Sequence, residues 1–218
     1  MILSADEYYD VYLKGNSESA ILTEINKLKK KLAELKNEIE NPTHEKAEVF
    51  WRNAKIQVYS TRAYLERAKE ALVEAGGKYK PSREEKKEAA FEIRIPAINK
   101  VVFELGGFCG GYEKRIVTFS DEKAYLDIAT FFSEAPCKSE SPVSKKEFLE
   151  GLRDLHIGEW LPKYDIRRFG YIVCDGTQWS LEIYFSDGKK PLKISGDNDY
   201  PYNFGELQKL LGIEVDEE

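Results

Sequence analysis

At 218 residues, with 42% hydrophobic, 12% aromatic and 33% charged positions, the chain carries enough apolar surface to build a core, which excludes a wholly disordered sequence. The net charge of −6 is unevenly spread: residues 1–90 hold 17 Lys and Arg against 16 Asp and Glu, whereas residues 91–218 hold 16 against 23. The acidic half disfavours nucleic acid and anionic membrane as partners and favours a basic protein surface, and no apolar run approaches the ~20 residues that span a bilayer.

Met1-Ile2-Leu3 runs at once into Ser4, Asp6 and Glu7. A basic n-region and an apolar h-region are both missing, so no secretory leader is read and a cytoplasmic location is expected. Ser4 followed by Glu7 is a capping box that predicts a helix over residues 5–14, ended by Gly15. Asn16 or Ser17 caps a second helix, in which Ile25, Leu28, Leu32, Leu35 and Ile39 recur at heptad spacing between lysines and glutamates. Asn41-Pro42 stops it and Thr43 caps a third helix over residues 44–75, carrying Ala47, Phe50, Ala54, Val58, Thr61, Leu65, Ala68 and Leu72 at the same spacing. A short linker between two such helices predicts an antiparallel hairpin with large residues on one arm facing small ones on the other. Trp51, Tyr59 and Tyr64 lie off that seam and are candidate docking residues, for the rest of the chain or for a second copy in a homodimer.

Lys78-Tyr79-Lys80-Pro81 breaks the helical pattern, and Ser82 with Glu85 opens a short charged helix to about residue 90. Alternation of apolar and polar residues then predicts strands at 91–95, 101–105, 112–119 and 124–132. Ser144 with Glu147 predicts a helix to about residue 156. Asp175-Gly176 leads into a strand over 177–185, Asp187-Gly188 turns the chain into a strand at 192–194, and Asn203 with Glu206 caps a last helix through Leu211. The expected fold class is α+β: a coiled-coil-like antiparallel helical hairpin over residues 1–80, followed over 81–218 by an acidic α+β domain with a mainly antiparallel sheet and two or three helices.

No catalytic, cofactor or metal signature emerges. Gly106-Gly107-Phe108-Cys109-Gly110-Gly111 lacks the Gly-Lys-Ser/Thr of a phosphate loop and is followed by a strand, so it reads as a hairpin connection. Cys109, Cys137 and Cys174 form no C-x-x-C pair and read as free thiols, and with His44 and His156 as the only histidines a multi-histidine metal site is not expected. Asp175, Glu182 and Asp187 are the carboxylates an enzyme would use, but no lysine stands two positions after Glu182 as in strand-borne nucleases. Asp197-Asn198-Asp199 opens like a calcium loop and then departs from it at Tyr202 and Gln208.

The expected function is therefore non-catalytic protein binding, in its most concrete form an acidic inhibitor of a nucleic-acid-binding bacterial or phage-defence protein. Candidate partner-binding residues are Trp51, Tyr59, Tyr64, Glu182, Tyr184, Asp197, Asp199, Tyr200 and Tyr202, because rigid aromatics beside acids give contact area at small entropic cost. The alternatives are an enzyme with a carboxylate or Cys109 site, and nucleic-acid binding through Lys27, Lys29, Lys30, Lys31 and Lys36.

Overall fold

The computed structural model describes residues 3–41, 48–107, 110–130, 137–138 and 143–214, with the side chains of 48–51 and 137–138 outside that description. The chain divides into two compact units, residues 1–81 and 82–217.

The first unit contains α1 (Ala5–Tyr12), α2 (Glu18–Glu40) and α3 (Glu48–Glu74). The Ser4–Glu7 capping box closes in both directions, and the Ser17 hydroxyl accepts from the Ala20 amide. On α2, Ile21, Ile25, Leu28, Leu32, Leu35 and Ile39 are buried; they meet Ala54, Val58, Thr61, Leu65, Ala68 and Leu72 of α3. Glu18 at the start of α2 lies beside Gly76 just past α3, so the two helices run antiparallel. Small residues on α3 let the leucine and isoleucine knobs of α2 approach closely, as heptad packing requires. Tyr64 is not an outward anchor: its ring stacks on Tyr8 of α1 at 4.2 Å and 7°, and its hydroxyl donates to the Leu3 carbonyl at 2.6 Å. Tyr8 in turn donates to Glu24, so one aromatic pair fastens α1 across both arms of the hairpin.

The second unit begins with α4 (Arg83–Arg94). Residues 91–95, expected as a strand, are helical up to Arg94. The buried positions are Glu88, Phe91 and Ile95, at helical spacing, and Ile93 is 80% exposed, so the period is 3.6 rather than 2. Eight strands follow among the described residues: β1 (Ile98–Gly107), β2 (Gly111–Ser120), β3 (Lys123–Thr130), β4 (Cys137–Lys138), β5 (Val143–Ser144), β6 (Lys163–Asp165), β7 (Thr177–Phe185) and β8 (Leu192–Asp197). Two helices complete the unit, α5 (Lys145–Asp154) and α6 (Phe204–Leu210).

The strands lie in the order β4-β3-β2-β1-β7-β8-β6, with β5 also pairing with β3. All pairs are antiparallel except β6 with β8. One face of the sheet is the core. Val101 and Phe103 of β1, Val117 of β2, Trp179, Leu181 and Ile183 of β7 and Ile194 of β8 pack against Phe91, Phe148, Leu152, Phe204 and Leu207 from the helices. Each such side chain contributes about 1.5–3 kcal/mol of transfer free energy. Asn203 stands at the start of α6 without the expected capping bond; its amide instead donates to the Leu155 carbonyl at 2.8 Å and ties α6 to the end of α5.

Two substitutions test this packing. The Thr61 hydroxyl is fully buried with no hydrogen-bond partner among the described residues, so Thr61→Val raises the stability of the first unit by about 1 kcal/mol in denaturant unfolding. A Cβ on Gly158 would stand 2.7 Å from the Glu88 Cα and 2.9 Å from the Phe91 Cβ, neither of which can swing away. Gly158→Ala therefore lowers the stability of the second unit by about 1–3 kcal/mol.

Candidate functional site

Alternation along the strands sends one set of side chains into the core and the other to the opposite face, onto which, among the described residues, no helix of this unit packs. Pairing aligns that face in rows. Asp127, Ile116, Val102, Glu182 and Lys193 form one; Tyr125, Thr118, Lys100 and Tyr184 the next; Lys114, Glu104, Ser180 and Ser195 a third. At the hairpin end Tyr112 donates to the Gln178 side chain at 2.8 Å across Gly106. Tyr125 is 39% and Tyr112 38% exposed.

Charge on this face alternates in sign. Lys114 pairs with Glu104 at 3.5 Å, and Lys193 donates to Glu182 at 2.7 Å. Tyr184 also donates to Glu182, and the Lys100 ammonium lies 4.9 Å from the Tyr184 ring centroid. The Lys193 bond first, and the Tyr184 bond second, hold the Glu182 carboxyl below its usual range, while the same carboxylate pushes the Tyr184 phenol up. On β6, Asp165 is held far below the usual range by Arg167. On this face Glu104 and Glu182 each have a lysine close by.

The residues singled out in the sequence fall in different places. Glu182 and Tyr184 lie together at the centre of the open face. Asp197 sits at its rim, accepting from the Asn198 amide at 2.8 Å. Asp199 and Tyr202 are buried and cannot act as surface anchors. Arg168 holds Asp199 with two bonds, at 2.6 and 2.9 Å, and the Asp199 carbonyl accepts from the Trp179 indole. Tyr200 packs on Phe204 at 4.8 Å, and burial raises its phenol pKa. On the first unit Tyr59 is 56% exposed and Tyr64 is buried, and the Trp51 side chain lies outside the described residues. Tyr112, Tyr125 and Lys100 were not singled out; the 2.0 periodicity of their strands, read for its polar side, would have found them.

The carboxylates of the enzyme alternative do not converge. Asp175 and Asp187 lie beyond opposite ends of β7, about 30 Å of strand apart, and Asp187 is engaged by Arg94 at 2.9 Å. Cys109 lies outside the described residues, and Cys174 is exposed. The glycines at 106 and 107 answer to packing: a Cβ on Gly106 would overlap the Gly111 carbonyl and one on Gly107 the Gly176 carbonyl. On the lysine-rich α2, Lys27 pairs with Glu24, Lys30 with Glu34, and Lys29 bonds the Tyr79 hydroxyl. Among the described residues no helix is long and apolar enough to cross a membrane.

Comparison with protein-family models, curated proteins and solved structures gives no match.

Because Glu182 is shifted downward, its contribution to stability is present above the ordinary carboxylate range and is lost as pH falls through the folded value. Lys193→Ala is expected to move the Glu182 titration up, followed by NMR of the side-chain carboxyl carbon, and to leave Asp187 on its Arg94-lowered value.

Proposed function

We propose that this chain is a non-catalytic interaction protein that presents the open sheet face of residues 82–217 to a protein partner. The observation that carries the reading is the one-sided packing of the sheet: among the described residues the helices of this unit pack on the core face, and the other face offers Tyr112, Tyr125 and Tyr184 beside the half-buried Ile116 within a charged surround. Rigid aromatics on a preformed sheet give contact area with little ordering cost. The carboxylates beside Lys114 and Lys193 would repel a phosphate backbone, which favours protein over nucleic acid. The acidic excess of residues 91–218 still attracts a basic partner from a distance, so an inhibitor of a nucleic-acid-binding protein fits the field, with the contact itself made by matched charges and tyrosines.

The test is capture from the source cell with a photoreactive residue placed at position 125 or 112, and at Lys146 on α5 as an off-face control. A single partner cross-linked from the sheet positions and not from position 146 is expected, with Tyr125→Ala weakening binding about tenfold or more. Rising salt is expected to slow association more than it speeds dissociation. Equal cross-linking from all three positions, or unchanged affinity of Tyr125→Ala, would sink the assignment of this face.

A further inference from the structure

Away from the sheet face, α4 and the turn that follows α5 bring three ligating groups together. Glu88 and Glu92 are four residues apart and project from the same side of α4. His156 reaches them from the short 3₁₀ turn Ile157–Glu159, which it precedes in a left-handed conformation with φ 50°. Ligand atoms of the three residues lie within 4.8 Å of one another, and His156 Nδ1 is 3.0 Å from Glu88 Oε1. On a tetrahedral zinc ion, bonds of about 2.0–2.2 Å place neighbouring ligand atoms about 3.3–3.5 Å apart, so the cluster needs to close by little more than an ångström.

A second observation points to a ligand. Glu88 is only 8% exposed, and its Oε2 is buried with no hydrogen-bond partner among the described residues. A carboxylate in that position retains an unsatisfied acceptor beside a second carboxylate, an arrangement that a divalent cation relieves. Glu92 and His156 are half-buried, which leaves an open side for entry and for a completing water. Gly158 makes the approach feasible, since a Cβ there would stand 2.5 Å from Glu88 Oε2.

We propose that Glu88, Glu92 and His156 bind one divalent late first-row metal ion, with zinc as its representative, which clamps α4 to the turn after α5. One imidazole with two carboxylates suits zinc, cobalt or nickel. Calcium wants six to eight oxygens and magnesium an octahedral oxygen shell, and neither is matched here.

The full chain, purified without a histidine tag and stripped with chelator, is titrated with Zn²⁺ and Co²⁺ by equilibrium dialysis. One ion per chain is expected. Glu92→Gln and His156→Asn should each weaken binding at least tenfold, while His44→Asn leaves it unchanged; asparagine also adopts the left-handed backbone that position 156 needs. Co²⁺ should show d–d absorption without a thiolate charge-transfer band. Circular dichroism confirms that the variants are folded, and Glu92→Gln, at a half-buried position, carries the test if His156→Asn is not. Binding well below one equivalent, a thiolate band, or affinity unchanged in Glu92→Gln would overturn the site.

Discussion

The second unit depends on β1 being paired along both edges. Lys100 through Gly107 exchange bonds with β2 on one side and β7 on the other, so two sequence-distant strand groups become one sheet. A central strand with both edges filled fixes the register on each side. A slip of one residue would send Val101 and Phe103 out of the core and put Lys100 and Glu104 in it. The tight glycine end of the strand follows from the same constraint, because β2 and the chain leading into β7 both close on it within backbone contact.

From that register comes the asymmetry that gives the unit its surface. The helices are drawn to the side where the apolar residues of six strands point, and Phe91, Phe148, Leu152, Phe204 and Leu207 fill the core there. The other side holds alternating cations and carboxylates, which solvent or a matched partner satisfies equally well. Core and open face are therefore two outcomes of one period-2 pattern.

Much of this was legible in the residues. The heptads of α2 and α3, the capping boxes at Ser4 and Ser82 and the strands over 112–119 and 177–185 follow from local spacing and chemistry. What was not legible is long-range. Phe91, Ile93 and Ile95 satisfy a strand period as well as a helical one, and only the partners in the core decide between them. Reading them as strand also split Glu92 from Glu88, so the cluster with His156 had no spacing signal. Asp199 and Tyr202 looked like surface anchors because their neighbours are acidic and aromatic; Arg168, 31 residues upstream of Asp199, is what turns the aspartate inward. Tyr64 likewise stood off the α2–α3 seam because its partner is Tyr8, outside the hairpin.

The alternating charges of the sheet face bear on geometry of recognition more than on strength. Strands lie about 4.8 Å apart, so an opposing surface displaced by one strand would bring like charges together where opposites had met. Against a partner, Lys193 beside Glu182 and Lys114 beside Glu104 would thus set the register of contact. On the proposed function, such a face would discriminate between poses of one partner rather than bind every basic protein equally.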